Sequence, residues 1–389
     1  MQSLTEELIQ IRQAGLYRQL RSVSSQSGPK VCVEGRDMLM MASNDYLGLC
    51  SHPRLQECSC QAVRDWGAGS GAARLISGNV ELFAALEDDL ARFKSTEDAL
   101  VFSTGYMANL GLLTSLGGAQ DVIFSDALNH ASIIDGCRLS RARVEVYPHA
   151  DTAALEVMLK KSGGDRRRLI VTDGVFSMDG DIAPLPELAA LAETYDALLI
   201  IDDAHATGVI GARGRGTLEY FGLEGCGRSV VMGTLGKALG CFGAFIAGSA
   251  ELKEYLINRA RSFIFTTALP PSVVAAAQEA LKIVDDEPER RQRLHQNQAW
   301  FRSALQDMGY DIMAGTTQIV PVLVGDSGRA VQLAEDLFAA GVFALAIRPP
   351  TVPPNAARLR MTVMATHTAE DLQLAVDALE RAGKHLGII

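Results

Sequence analysis

The chain has 389 residues, of which 48% are hydrophobic and 21% charged, so it can bury a large core and is not a disordered composition. Its formal net charge of −10 at pH 7 argues against a nucleic-acid-binding surface, which needs a basic patch. Because no apolar stretch reaches the roughly 18 residues of a transmembrane helix and the first ten residues lack the apolar core of a signal peptide, we expect a cytoplasmic protein.

The first 45 residues are predicted to form a helix followed by a hairpin. Apolar residues at helical spacing indicate a helix over Leu4–Leu20, and residues 31–41 indicate a hairpin that turns at Glu34–Asp37. A large domain is then predicted, and its first helices are expected over Pro53–Trp66 and Val80–Phe93.

Strands and helices alternate through this large domain, which we assign to residues 46–275. A strand beginning at Ala99 leads into a glycine-bearing turn and a new helix. The later strand candidates are Val122–Phe124, Val144–Val146, Leu169–Thr172, Leu198–Ile201, Ser229–Met232 and Gly243–Ala247. This alternation predicts an α/β fold with a mostly parallel sheet.

Residues 276–389 are predicted to form a smaller α+β domain. Its strand candidates are Gln318–Val324, Phe343–Ala346 and Leu359–Val363, and a helix over Ala369–Leu386 follows them.

Two other patterns are excluded by their context. Gly67–Ala72 matches the letters of a dinucleotide fingerprint, but it follows a helix instead of a strand. The seven cysteines include no Cys-x-x-Cys pair, so we expect reduced thiols and no metal site.

The segment Val231–Gly240 holds a lysine, Lys237, in a glycine-rich turn after an apolar strand. A nucleotide P-loop would need a glycine at position 231 and Ser or Thr at 238, where this chain has Val231 and Ala238. A lysine in such a partly desolvated turn can instead form a Schiff base with pyridoxal 5′-phosphate (PLP). The hydroxyl of Thr234, three residues earlier, could contact the cofactor phosphate.

A second polar group follows the apolar run Ala197–Ile201. Asp202 and Asp203 point to opposite faces of a strand, so only one carboxylate can pair with the pyridine nitrogen. His205 could then hydrogen-bond the phenolic oxygen. The alternatives are a helix cap for Asp203 and a core-edge histidine for His205.

Other candidates lie at predicted strand ends. His130 could stack on a flat ring or be an ordinary loop histidine, and Gly105 and Tyr106 start a helix whose free amides suit a phosphate. Ser177 follows another strand. Arg348, Arg358 and Arg360 surround a proline-rich turn, where one arginine could grip a substrate carboxylate; a solvated arginine is the alternative for each.

Taken together, these motifs resemble the α-oxoamine synthase family of fold-type I PLP enzymes over essentially the full chain. The motifs are Ser43–Gly48, Gly67–Gly71 with Ser77–Gly78, Asn129–Ser132, Phe176–Asp181, Asp202–Gly208, Gly233–Ala238 and Thr266–Pro271. The resemblance implies the aspartate aminotransferase-like fold and a condensation of an amino acid with an acyl thioester, with loss of CO2. Arg348–Pro353 and Ala357–Arg360 most resemble the members that join L-alanine to a pimeloyl thioester, carried by coenzyme A or an acyl-carrier protein, in biotin biosynthesis.

The resemblance also implies residue roles. The implied catalytic set is Lys237 as Schiff-base lysine and proton acceptor, Asp202 at the ring nitrogen, His205 at the phenolic oxygen and His130 stacked on the ring. The further cofactor contacts are Gly105, Tyr106, Ser177, Thr234, Thr266 and Thr267, the last two reaching across a homodimer. The implied substrate-binding residues are Arg18, Asn44, Arg348, Thr351 and Arg360.

Related substrates remain open from the sequence. Glycine with acetyl-CoA or succinyl-CoA and serine with a long acyl chain would use the same chemistry, since one methyl group is worth only about 1–3 kcal/mol. A non-catalytic PLP-binding protein is the alternative from another class.

Overall fold

The computed structural model describes residues 3–13, 16–225 and 227–389 as alternating strands and helices. The described strands are β1 (Lys30–Val33), β2 (Arg36–Met40), β3 (Asp98–Phe102), β4 (Val122–Asp126), β5 (Arg143–Tyr147), β6 (Arg168–Asp173), β7 (Ala197–Asp202), β8 (Ser229–Thr234), β9 (Ala244–Gly248), β10 (Ile319–Gly325), β11 (Val342–Phe343), β12 (Leu345–Ile347) and β13 (Ala357–Thr362). The described α-helices are α1 (Leu4–Gln13), α2 (Pro53–Trp66), α3 (Glu81–Lys94), α4 (Gly105–Leu116), α5 (Ala131–Leu139), α6 (Thr152–Lys160), α7 (Leu185–Thr194), α8 (Thr217–Tyr220), α9 (Ala250–Arg259), α10 (Arg261–Ile264), α11 (Pro271–Asp286), α12 (Glu289–Asp307), α13 (Ser327–Ala339) and α14 (Ala369–His385). One π-helical turn spans Arg74–Gly78.

Among these strands, seven form one sheet in the order β3-β9-β8-β7-β6-β4-β5. The pairs from β8 through β7, β6 and β4 to β5 are parallel, and β9 runs antiparallel to both β3 and β8. The predicted mostly parallel α/β sheet is therefore confirmed. Its central strands are apolar and buried on both faces, as expected where helices cover both sides.

Strand register brings the polar residues at the carboxyl ends together. Asp173 at the end of β6 is paired with Asp202 at the end of β7, and Asp202 is in turn paired with Met232 in β8. Lys237 is the third residue after the end of β8. This edge is where parallel sheets of this kind hold ligands.

Two smaller sheets involve the ends of the chain. The antiparallel sheet β10-β13-β12 lies in the C-terminal segment, as predicted. The N-terminal hairpin β1–β2 turns at Glu34 and Gly35, which both have positive φ, and β11 adds to β2 in parallel. The two chain ends thus share a sheet. The domain limits at residues 45 and 275 stay predictions.

Two predicted elements were wrong in their extent. The helix predicted over Leu4–Leu20 is described over Leu4–Gln13, residues 14–15 lie outside the described residues, and residues 16–20 are not helical. The strand predicted over Phe343–Ala346 is split, because Val342–Phe343 pairs with β2 whereas Leu345–Ile347 pairs with β13. Apolar periodicity does not indicate where a helix closes or which partner a strand selects.

No described helix is both long enough and apolar enough to cross a membrane.

Candidate functional site

Lys237 lies at the carboxyl edge of the sheet, with its Nζ 2.8 Å from Nε2 of His205. Burial lowers the pKa of Lys237 to about 8, although the charge of Asp202 acts in the opposite direction. About a tenth of the amine is therefore unprotonated at pH 7 and about half at pH 8, which supplies the form that a nucleophile or proton acceptor requires.

A hydrogen-bond chain continues from His205 to an arginine. The Nδ1 of His205 lies 2.7 Å from the hydroxyl of Tyr46, which donates to Asn44 Oδ1 at 3.1 Å. Arg360 Nη2 donates to the same Asn44 oxygen at 3.2 Å. With the Tyr46 hydroxyl donating to Asn44, the matching tautomer of His205 has its proton on Nδ1 and an unprotonated Nε2 facing Lys237. Burial and the charge of Lys237 hold the pKa of His205 well below its usual range, so the ring is neutral.

Asp202 and Asp203 diverge as predicted. Asp202 accepts a hydrogen bond from Asn109 Nδ2 at 2.8 Å at the site, whereas Asp203 forms a buried ion pair with Lys94 at 2.8 Å. Thr217 Oγ1 also donates to Asp203 at 2.6 Å. The Asp203 carboxylate is thus occupied by structural contacts, and Asp202 is the carboxylate that can bind a ligand.

Asn109 links Asp202 to His130. Its side-chain amide donates to Ser132 Oγ as well, at 2.8 Å, and Ser132 Oγ lies 2.7 Å from His130 Nδ1. Burial lowers the pKa of His130, so a neutral imidazole stands at the start of α5. A neutral, oriented ring is suited to stacking on a planar ligand.

Asp173 stands beside Asp202 as a second buried carboxyl group. Burial, reinforced by the charge of Asp202, raises the pKa of Asp173 well above its usual range. Its Oδ1 has no hydrogen-bond partner among the described residues. This arrangement keeps Asp173 protonated and leaves a polar atom for a ligand to satisfy.

The start of α4 can hold a phosphate. Thr104 caps the helix by accepting from Met107 N, which leaves the amides of Gly105 and Tyr106 without a partner in the described chain. Thr234 lies at the end of β8, where its hydroxyl accepts from Gly236 N at 3.2 Å and donates to Gly243 O at 3.1 Å.

The donor set at this edge fits PLP. PLP needs an amine for its carbonyl, a carboxylate for its ring nitrogen, a flat side chain against its ring and free helix amides for its phosphate. Lys237, Asp202, His130 and Gly105 can supply these groups, in that order. The unsatisfied Asp173 oxygen lies among them. No group of His, Cys, Asp or Glu residues in the described ranges has the arrangement of a metal site.

The predicted substrate residues separate into two sets. Arg360 is 8% exposed and joins Asn44 at the site, and its Nε donates to Ser177 O at 2.6 Å. Arg358, on the same strand, is committed to a buried ion pair with Asp179 at 2.6 Å. Arg360 is therefore the arginine available for a carboxylate.

The remaining substrate candidates are Arg18, Arg348 and Thr351. Arg18 and Thr351 are exposed, and Arg348 is half-buried two residues before Pro350, in the turn that leads to β13. Their roles stay predictions.

Thr266 and Thr267 lie beside the start of α4. Ser103, which directly precedes the cap residue Thr104, donates to the carbonyl of Thr267 at 3.4 Å. The Thr267 side chain is exposed. Whether the pair serves its own chain or a second copy stays a prediction.

Several residues of the site were missed from the sequence: Tyr46, Asn109, His149 and Asp173. His149 lies 3.0 Å from Asp126 and 2.9 Å from Asp181, and so joins the ends of β4 and β5 to the loop that carries Ser177. Burial alone would lower its pKa, but the hydrogen bonds to both carboxylates raise it to about 10. Asp173 could have been found, since it ends a predicted strand as Asp202 does.

The chain is similar to known enzymes in both sequence and structure. The profile of the aminotransferase class I and II family matches residues 36–379. An 8-amino-7-oxononanoate synthase from Geobacter sulfurreducens is 55% identical over 389 residues, covering 100% of this chain and 99% of that protein. The same enzyme from Geobacter metallireducens is 52% identical with equal coverage. A solved serine palmitoyltransferase variant from S. paucimobilis, with a bound PLP–myriocin aldimine, is 31% identical with a TM-score of 0.94, covering 99% of this chain and 98% of that one.

Proposed function

Because the chain belongs to the aminotransferase class I and II family and to its α-oxoamine synthase branch, we propose that it condenses L-alanine with a pimeloyl thioester. The products are 8-amino-7-oxononanoate, CO2 and the free thiol carrier. The close full-length relatives named for this product support the assignment.

The observation that carries the proposal is the continuous path from Lys237 through His205, Tyr46 and Asn44 to Arg360. One end of this path is an amine with a lowered pKa, and the other is a guanidinium suited to a carboxylate. An amino acid has both a carboxylate and an α-proton, so a substrate seated on Arg360 would offer its α-carbon towards Lys237.

The chain's own residues perform binding and proton transfer. PLP, when bound, supplies a carbonyl for the amine and a ring that accepts electrons from the substrate. Asp202, fixed by Asn109, would hold a proton on the ring nitrogen, and the α-amine of alanine would replace the Nζ of Lys237. The freed Lys237 would take the α-proton and return it after CO2 is lost. Neutral His205 stays beside Lys237 without competing for the proton.

We also propose a homodimer, located in the cytoplasm. The exposed apolar side chains of Leu75 and Ile76, which are 51% and 80% accessible, support a partner surface. Their segment is joined to the residue that directly follows the threonine pair, because Ala268 N donates to Ala72 O. A second chain seated there would approach the cofactor end of α4.

Thiol release tests the proposed reaction. PLP-loaded protein is given pimeloyl-CoA with alanine, glycine or serine in turn, and free thiol is measured. We expect release with alanine and none with the Lys237→Ala variant. Release with glycine or serine alone would overturn the alanine assignment and keep the family. No release with any amino acid, from either pimeloyl-CoA or the pimeloyl-carrier protein, would overturn the proposed function.

A further inference from the structure

We propose that Asn109 and Ser132 are positioning residues, which fix the imidazole of His130 in the tautomer with its proton on Nε2 and tie that ring to the Asp202 carboxylate. The inference rests on the proposed function, because it concerns the two side chains that would stack on the PLP ring and pair with its nitrogen. Asn109 and Ser132 are each 1% exposed and present almost no surface to a ligand. Their influence on a ligand therefore passes through His130 and Asp202.

Close packing of α4 against α5 brings Asn109 to Ser132. Gly136 lies on α5 one turn after Ser132, and a Cβ at this position would lie 2.8 Å from Leu113 Cδ1 and 3.3 Å from Asn109 O. A larger residue there would push the two helices apart, since packed interiors have little free space. The contact between Asn109 Nδ2 and Ser132 Oγ, at 2.8 Å, depends on this close approach.

The amide of Asn109 is oriented by the carboxylate beside it. With Asp202 ionised, as pairing with a ring nitrogen requires, its Oδ2 only accepts hydrogen bonds, so the Asn109 atom that faces it at 2.8 Å is Nδ2. The second hydrogen of Nδ2 is donated to Ser132 Oγ. The other oxygen of Asp202 accepts from Ala204 N at 3.0 Å. Asp202 is thus held by one donor on each oxygen.

A backbone contact identifies Nδ1 of His130 as the unprotonated nitrogen. The amide N–H of Ser132 points to Nδ1 at 3.2 Å, and a backbone N–H can only donate. The neutral ring then has its proton on Nε2, and the Ser132 hydroxyl, 2.7 Å from Nδ1, is a second donor to the same lone pair. Both hydrogens of Asn109 Nδ2 and the hydroxyl hydrogen of Ser132 are thereby assigned to acceptors.

Helix capping accounts for only part of this arrangement. His130 is the N-cap of α5, and the contact with Ser132 N belongs to the cap. The cap needs neither the Ser132 hydroxyl nor Asn109, which lies on another helix and 23 positions earlier in the chain. A buried amide is costly unless its hydrogen bonds are made, and Asn109 makes them to Asp202 and Ser132. The bridge to Asp202 is thus additional to the cap.

Neighbouring charges act on His130 in opposite directions. Burial lowers the pKa of His130, the charge of Asp202 acts against this, and the charge of Lys237 acts with it. Asp173 is protonated and His205 is neutral, as their shifted pKa values indicate. Two donors at Nδ1 favour the neutral ring as well, because a proton on that nitrogen would face the Ser132 amide. The bridge therefore helps to keep an uncharged ring beside Asp202.

Nitrogen NMR of the PLP-loaded enzyme, labelled with ¹⁵N in its histidine rings, tests the tautomer. The chain has seven histidines, and the His130→Asn variant, whose new side chain can also cap a helix, identifies the His130 signals by their loss. We expect an unprotonated Nδ1 and a protonated Nε2 in the neutral ring. A protonated Nδ1 would overturn the proposal, and this result needs no variant at position 109 or 132.

Ser132→Ala tests the hydroxyl. The Nδ1 signal of His130 should move, because this nitrogen loses its closer donor. Ser115→Ala is the matched control, since it removes another buried serine hydroxyl, whose Oγ has no hydrogen-bond partner among the described residues. It should leave both His130 signals in place. An Nδ1 signal that is the same in Ser132→Ala and the wild type would overturn the role of Ser132.

Asn109→Asp tests the link to Asp202. The new carboxyl group has at most one hydrogen, which Asp202 takes, so the Ser132 hydroxyl should turn from His130 to position 109. The midpoint of the His130 titration should then move to higher pH. In Asn109→Asp/Ser132→Ala the path is broken and only the direct effect of the new group remains, so the shift relative to Ser132→Ala should fall to about half or less. Equal shifts in the presence and absence of Ser132 would overturn the link.

Thiol release, measured on the same proteins, separates this inference from the proposed function. In Asn109→Asp the acidic limb of the pH profile should move to higher pH together with the His130 midpoint. An acidic limb that stays in place while the midpoint moves would overturn the positioning role in the reaction. Absence of thiol release from the wild type would overturn the proposed function and leave the tautomer result intact, because the NMR measurement needs no substrate.

Discussion

The hydroxyl of Tyr46 lies 2.7 Å from Nδ1 of His205, and both side chains are buried. The two residues are 159 positions apart in the chain. A proton on Nδ1 of His205, donated to the Tyr46 oxygen, leaves Nε2 as the acceptor facing Lys237. Tyr46 thus orients His205, and His205 in turn contacts Lys237.

Tyr46→Phe should lower kcat/KM about tenfold, because removal of one partner of a buried hydrogen bond costs about 1–3 kcal/mol. The variant should still fold, since the ring keeps its packing. Tyr147→Phe is the matched control, as the buried Tyr147 hydroxyl has no hydrogen-bond partner in the described chain. Steady-state thiol release measures both; equal losses would show that the Tyr46 contact has no specific role.

The pKa of Lys237 should govern PLP uptake by the apoprotein. Only the unprotonated amine attacks a carbonyl, so the uptake rate should rise with pH and reach half its maximum near pH 8. Asp202→Asn should move this midpoint to lower pH, because the Asp202 charge raises the Lys237 pKa. Stopped-flow absorbance of bound PLP measures the midpoint.

Asp173→Asn is the control for that experiment. Burial beside Asp202 keeps Asp173 protonated, so replacement by a neutral amide should move the midpoint less than Asp202→Asn does. Equal shifts in the two variants would mean that Asp173 is charged.

His149 should make stability depend on pH. Its folded pKa, about 10, lies above the ordinary histidine value of 6.5, so its contribution is fully present below pH 6.5 and is lost as pH rises towards 10. His149→Gln should lower the free energy of unfolding at pH 6 by about 2 kcal/mol, the scale of a charge-assisted hydrogen bond. Urea unfolding at pH 6 and 10 measures the difference.

The difference in free energy of unfolding between the wild type and His149→Gln should be smaller at pH 10 than at pH 6. His385→Gln provides the control, since the His385–Asp336 pair at 3.1 Å involves a histidine that is 72% exposed, and such pairs contribute little. If this difference in free energy of unfolding did not depend on pH, it would contradict the charged state assigned to His149.

Arg360→Lys should raise the KM for alanine about tenfold or more, because lysine cannot reproduce a planar two-pronged grip on a carboxylate. The KM for the thioester should change less. Arg348→Lys tests whether Arg348 binds the acyl group of the thioester. This variant should raise the KM for the thioester more than the KM for alanine. If Arg360→Lys lowered kcat and left both KM values unchanged, Arg360 would not be the residue that binds the substrate carboxylate.

Mixed dimers test the threonine pair. If Thr266 and Thr267 serve the other subunit, mixing inactive Lys237→Ala chains with Thr266→Ala/Thr267→Ala chains places both defects in one site and leaves the other intact. About half of the wild-type activity per mixed dimer should then return. If the pair serves its own chain, every site keeps one defect and mixing restores nothing.

The sequence by itself determined the main sheet and the chemistry at its edge. Apolar runs such as Ala197–Ile201 can be satisfied only by burial on both faces, and polar residues directly after them must then lie at the carboxyl edge. Lys237, Asp202 and His205 were predicted for that local reason, and the structure brings them to one edge.

Only the tertiary structure decided which arginine is available and which residue each ring nitrogen of His205 faces. Arg358 and Arg360 are two residues apart and chemically identical, but Asp179 neutralises Arg358, whereas Arg360 meets Asn44. The contacts of Tyr46 with His205 and of His149 with Asp126 and Asp181 join segments far apart in the chain. Local pattern contains no information on such pairings, because they are set by how the loops pack at the sheet edge and by the burial that follows.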